Sequence, residues 1–204
     1  MNKKSPYHHG DLREKLILAG LELLSEGGVT GLDLRKVARK AGVSHAAPYR
    51  HFEDKSDLIA AVIEEGFSQL HDSLQRVVDM SEANTIDQLQ NISLAYVEFT
   101  VKNPWSVREM FSGLTIDHNM YPSLYATSKK VFGLIENVIV SGQESGILNL
   151  DDSKELACVF LSTIHGTALL IIENHMQPIT SRPGGTEHLA RICVNALING
   201  IKKT

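Results

Sequence analysis

Three side chains close together in this 204-residue sequence, the phenol of Tyr49, the imidazole of His51 and the ammonium of Lys55, form a row of hydrogen-bond donors suited to a line of phosphate oxygens. Ahead of them stand Arg35 and Lys36, then Ser44, His45 and Ala46. An arginine can grip a phosphate, or it can present two parallel donors to O6 and N7 of a guanine. A serine hydroxyl and an imidazole can meet base edges, while the methyl of Ala46 suits a thymine methyl. Taken singly, each of these residues is an ordinary solvated surface group. Their clustering between residues 35 and 55 is what points to nucleic acid.

The elements that must position them are legible in the same stretch, LDLRKVARKAGVSHAAPYRHFEDK over 32–55. Leu34, Val37, Ala38 and Ala41 recur at i, i+3, i+4 and i+7, which gives one helix an apolar face. Asp33 fits its N-cap, and Gly42 stands where a helix needs a left-handed residue after its last turn. Ser44 is then placed to cap a second helix running to about Phe52, with Pro48 in its first turn, where a missing amide hydrogen costs least. So tight a connection predicts a steep crossing, with the second helix projecting into a major groove and the first lying across the backbone.

AGVS, Tyr49, His51-Phe52 and Lys55 at these spacings resemble the DNA-binding domain of the tetracycline-repressor (TetR) family of bacterial regulators, and the resemblance covers roughly residues 7 to 60. The opening YHHGDLR, the run Ala46-Ala47-Pro48-Tyr49 and the late pair His165-Gly166 resemble a subgroup named for a Trp-His-Gly motif in its C-terminal domain. The tryptophan is missing here: Leu161 and Ser162 stand four and three residues before His165. The resemblance implies a regulator, expected to be a repressor, that a small molecule releases from an inverted-repeat operator. It also implies that Arg35 reaches DNA and that the last two long helices pack on their twofold mates as a four-helix bundle. A helix-turn-helix protein without small-molecule control, governed by a protein partner, is the alternative.

Composition agrees with a globular chain that binds DNA at one end. Hydrophobic residues make up 43% and charged residues 22%, so the chain can build a substantial core and does not read as disordered. The net charge of −4 hides an asymmetry: through Lys55, 10 Lys and Arg stand against 7 Asp and Glu, and from Ser56 onward 10 stand against 17. The basic excess lies where the motif lies, and phosphate contacts supply most non-specific affinity. Lys3 and Lys4 are not followed by an apolar leader, and the apolar run Ala168 to Ile172 is far shorter than a membrane span, so a cytoplasmic protein is expected. Cys158 and Cys193, each in an apolar helical pattern, read as buried thiols rather than a disulfide.

Along the chain the periodicity predicts an all-α fold of about nine helices: a three-helix DNA-binding domain over 1–55 and a helical regulatory and dimerisation domain over 56–204. A first helix over about 11–26 stops at Gly27-Gly28. A long helix follows the motif, capped by Asp54 or Ser56, to about Met80; further helices span about 85–102, 105–111, 122–146, 154–175 and 186–201. Ser112 to Met120 and Gln177 to Gly185 read as loops. The last two long helices are apolar over more of their circumference than a monomer surface permits, and one recognition helix covers only a few base pairs, so a homodimer is expected.

Within the second domain Tyr96, Phe99, Trp105, Met110, Phe111, Tyr125, Phe132 and Phe160 are candidates to line an apolar ligand cavity, although such residues equally build a core. His165 is either a hydrogen-bonded core histidine or a polar group of that cavity. No metal or cofactor site is expected: the nine histidines show no His-Glu-x-x-His spacing, and His8-His9 sit in an amino-terminal arm. An enzyme would need a nucleophile with its base, or a glycine-rich cofactor turn, and no such motif is present.

Overall fold

The structure, a computed structural model, describes residues 9–80, 84–112 and 119–203. Nine α-helices are seen among them: α1 (His9–Gly31), α2 (Leu34–Lys40), α3 (Lys55–Asp79), α4 (Thr85–Lys102), α5 (Pro104–Phe111), α6 (Pro122–Glu144), α7 (Ser153–Ile172), α8 (Gln177–Thr180) and α9 (Gly185–Ile201), with a 3-10 turn over Pro48–Arg50. The only strand-like pairing among the described residues is an isolated bridge between Leu148 and Lys202. The expectations for His8 and for residues 113–118 of the loop before α6 fall outside the described residues.

Two compact units emerge. One holds the described residues of Met1–Gly66 with Trp105–Tyr125, the other those of Phe67–Pro104 with Ala126–Thr204. In the first unit Leu16, Leu24, Leu32, Val37, Phe52, Leu58 and Val62 are buried; burying each such side chain stabilises by about 1.5–3 kcal/mol. The glycine pair breaks α1 as expected, Gly27 at φ −156° and Gly28 at φ +66°, and a last turn follows before Gly31. Gly28 lies against the Trp105 ring, where a Cβ would come within 3.3 Å of Cε3.

At Gly20 α1 comes close to α3, and a Cβ added there would stand 2.5 Å from Val62 Cγ2. Glycine to alanine in an exposed helix ordinarily gains about 1 kcal/mol. Here the stiff, β-branched Val62 cannot retreat by rotation, and overpacking costs about 1–3 kcal/mol. Gly20→Ala is therefore expected to lower the thermal midpoint, and a melt followed by circular dichroism reads the sign.

The second unit is built on α4, α7 and α9, which pack on one another and bury Ile92, Tyr96, Phe160, Ile164, Ala168, Val194 and Ile198. Asn84 and Asp152 cap α4 and α7, each accepting two amide hydrogens of the first turn. Helix α9 is tied down at its end, where the Asn149 amide donates to Ile201 O at 2.9 Å and the Lys203 amide to Ile147 O at 3.1 Å. Two boundaries differ from the sequence expectation. Helix α7 stops at Ile172, its cap followed by Asn174 at φ +60°. The stretch 177–185 holds α8, with Pro178 in the first turn, where a missing amide hydrogen is tolerated.

In the isolated chain α7 and α9 leave apolar surface uncovered: Val159 is 48% exposed, Leu170 41% and Ile192 51%, and Cys158 is exposed as well. By length and composition alone α7 is apolar enough to cross a bilayer, and about a third of its most apolar stretch is buried within the chain.

Candidate nucleic-acid interface

Helix α2 is fixed at both ends by its own sequence. Asp33 Oδ1 accepts the Lys36 amide at 2.8 Å, and this bond, ahead of the Arg35 amide and the Lys36 and Lys55 charges, holds the Asp33 carboxyl below the usual range. At the other end Gly42 takes φ +70° while the Val43 amide donates to Ala38 O at 2.9 Å and the Gly42 amide to Arg39 O at 3.2 Å. This is the Schellman pattern, in which a left-handed residue lets the chain reverse and satisfy the last carbonyls. Arg35, Lys36 and Arg39 are thereby exposed on α2.

The segment after the turn is tighter than an α-helix. The Ala47 amide donates to Ser44 O, the Arg50 amide to Ala47 O and the His51 amide to Pro48 O, all three residues apart. An α-helix beginning at Ser44 would need an amide hydrogen at position 48 for Ser44 O, and Pro48 has none. The expected helix from Ser44 to Phe52 is therefore a helical turn over His45-Ala46 followed by the 3-10 turn. Ser44 does not cap it: its hydroxyl has no hydrogen bond among the described residues and remains exposed.

Ser44, His45, Ala46 and Lys55 are exposed, His51 is half-buried, and Tyr49 is 55% exposed, so most of its ring faces outward. Buried Pro48 and Phe52 bracket this surface and fix it to the core, with Arg13 of α1 lying 5.5 Å over the Phe52 ring. Two exposed cations beside these residues, Arg39 and Arg50, were not singled out from sequence. Arg50 lies between Tyr49 and His51 in a helical turn, and that adjacency was the available signal.

Not every cation is free to reach phosphate. Lys40 is held by α1, its Nζ 2.6 Å from Glu26 and 3.1 Å from Glu22, and these bonds raise its pKa. Lys36 Nζ donates to Gly31 O at 3.0 Å. At the start of α3 the attraction of a helix N-terminus for phosphate is offset by carboxylates: Asp54 accepts the Asp57 amide at 2.9 Å and Asp57 accepts the Glu53 amide at 3.1 Å. Nearby Tyr121 is pushed up by burial and then by Asp54, Asp57 and Glu53. Lys55 is thus the cation that this terminus offers.

The candidate cavity residues fall in both compact units, Trp105, Met110, Phe111 and Tyr125 in the first and Tyr96, Phe99, Phe132, Phe160 and His165 in the second. Tyr96 and Phe160 are fully buried and Met110 nearly so, its Sδ 3.1 Å from where a Gly66 Cβ would lie. Trp105 and Tyr125 are partly exposed, with the Arg108 guanidinium 5.1 Å over the Trp105 ring, and Phe111 and Phe132 are half-buried. Phe99 lines a cavity of about 580 Å³ between α3 and α4. His165 is half-buried with Nδ1 2.7 Å from Tyr96 Oη. Burial lowers the pKa of this imidazole and raises that of the Tyr96 phenol. Among the described residues no three His, Cys, Asp or Glu side chains are grouped to hold a metal ion.

Residues 16–62 match the model of the bacterial regulatory proteins of the tetR family. The chain is 25% identical over 143 residues to an HTH-type transcriptional regulator of Mycobacterium tuberculosis, a match that covers 69% of this chain and 61% of that one. It is 31% identical over 97 residues to the nucleoid occlusion factor SlmA of Vibrio cholerae, 47% of this chain and 49% of that one. The whole fold resembles the solved structure of a protein of unknown function from Rhodococcus sp. RHA1, with a TM-score of 0.85, 28% identity and coverage of 98% of this chain and 100% of that one.

Proposed function

We propose that this chain, whose residues 16–62 match the model of the TetR family of bacterial regulatory proteins, is a homodimeric, cytoplasmic transcriptional repressor released from operator DNA by a small-molecule ligand. In this reading residues 1–55 grip the DNA, while 56–204 dimerise and bind the ligand. The observation that carries the reading is the capped α2, the glycine turn and the exposed row from Ser44 to Lys55, because that arrangement presents base-reading and phosphate-gripping side chains from one rigid support. Arg35 and His45 are the base readers; Tyr49, His51 and Lys55 are backbone anchors; Ser44 and Ala46 make short contacts beside them, and Lys36 joins the anchors only by giving up its bond to Gly31 O.

A twofold dimer supplies two such readers. The uncovered apolar residues of α7 and α9 are the surface that a second copy would bury, which also accounts for an apolar α7 without a membrane. Helix α3 runs unbroken from Lys55 to Asp79. A ligand that favours a DNA-incompetent arrangement of that helix must bind more weakly when operator is present, by the same factor that it weakens DNA. Calorimetric titration of a ligand found by thermal-shift screening, with and without operator, is expected to give affinities differing about 5–150-fold. Equal affinities would favour the second reading, a DNA-binding protein governed by a protein partner. Similarity to a relative named for nucleoid occlusion rather than transcription keeps that reading in view.

A further inference from the structure

Gln69, Asp72, Ser73 and Arg76 of α3 fall at i, i+3, i+4 and i+7 and so share one helix face. Across the cavity α4 presents an identically spaced set, Ala95, Glu98, Phe99 and Lys102. Facing stripes of this spacing ordinarily carry apolar side chains that interdigitate. Here all but Ala95 and Phe99 are polar, Asp72, Arg76, Glu98 and Lys102 are exposed, and the two faces border an open groove of about 580 Å³, within the range of small-molecule sites.

The charges in this lining are not equally engaged. Asp72 Oδ1 lies 3.3 Å from His71 Nδ1, and Glu98 Oε1 lies 2.6 Å from Lys102 Nζ. The Arg76 guanidinium has no partner among the described residues. We propose that this cavity binds a small organic monocarboxylate with an apolar or aromatic body. Arg76 meets the carboxylate with two parallel donors, the Ser73 hydroxyl one turn away adds a third, and the Phe99 ring packs on the body. Asp72 and Glu98 balance the two cations and so disfavour a multiply charged phosphate. A second groove of about 590 Å³, walled by Leu94, Val97 and Val101, lies on the other flank of α4, with the Glu98–Lys102 ion pair on the ridge between the two.

The inference rests on the ligand-controlled reading above and names the ligand class. It also shortens the path from ligand to DNA. Lys55 and Gln69 stand on the same helix, about 21 Å apart at 1.5 Å per residue, so the bound molecule would touch the element that begins at a DNA anchor.

The test is ligand-observed NMR on the full chain without DNA, with 4-(trifluoromethyl)benzoate and octanoate, each against its carboxamide. At least one acid is expected to bind saturably at or below about 1 mM, and its amide at least about tenfold more weakly. Arg76→Ala is expected to lose about tenfold or more, Arg76→Lys to fall between, and Arg182→Ala, outside the cavity, to bind like the parent. Arg76 is exposed, so its replacement leaves the fold intact, which circular dichroism verifies. Absence of saturable acid binding up to about 10 mM, equal binding of acid and amide, or wild-type binding by Arg76→Ala would each overturn the site. An acid that binds through Arg76 yet leaves operator affinity unchanged would uphold the site and refute ligand control. Release of operator by some other molecule, with no acid binding, would do the reverse.

Discussion

Lys55→Ala and Tyr49→Phe are expected to weaken binding to operator and to random duplex by similar factors, whereas Arg35→Ala and His45→Ala relax sequence preference. Lys55 is exposed at the start of α3 beside carboxylates that already cap the helix, so its ammonium is the group left to meet a phosphate. Losing one phosphate contact costs affinity for every sequence and lowers the slope of log affinity against log salt by about 1. Losing a base contact costs about 1–3 kcal/mol on the preferred sequence and little on others. Fluorescence anisotropy with operator and scrambled duplex at several salt concentrations separates the two patterns. A change of preferred sequence on Lys55→Ala would remove it from the anchors and place it among the readers.

A double charge on the uncovered face, Leu170→Asp with Ile192→Asp, should turn the dimer into a monomer and lower operator affinity by about two to four orders of magnitude. Both side chains are partly exposed in the single chain, so the carboxylates cost the isolated fold little. Buried without a partner in a symmetric interface they cost several kcal/mol. Separating the protomers forfeits the effective concentration that links two half-site readers, a gain of about 10²–10⁴ in avidity. Sedimentation and operator titration on the same sample read both effects. A variant that stays dimeric, or a monomer with parental operator affinity, would show that α7 and α9 do not join the readers.

What the sequence disclosed was local. Asp33 and Gly42 bracket α2 through bonds spanning five residues or fewer, and the breaks at Gly27-Gly28 and Pro104 are set by backbone chemistry at those positions. The 3-10 form of Pro48–Arg50 was within reach, since Pro48 removes the amide that Ser44 O would need, but helical periodicity alone does not register a missing donor. Contacts distant in sequence were not readable. Tyr96 and His165 lie 69 residues apart, and nothing in either local pattern pairs them. The groove between α3 and α4 is illegible in the sequence for a related reason: its wall on α3 is Gln69, Asp72, Ser73 and Arg76, a polar stripe that reads as solvated surface until α4 is placed beside it. Likewise Lys40 counts as one more cation on α2 until Glu22 and Glu26 of α1 are seen beside it.

The central claim, that residues 35 to 55 read DNA from a twofold dimer, is tested most directly by selecting bound fragments from a genomic pool and footprinting the selected duplex at single-base resolution. Two inverted half-sites about one helical turn apart or slightly more are predicted, each protected through the major groove and both weakened together on His45→Ala. Protection of a single asymmetric half-site, or recovery of fragments that share no sequence, would contradict it.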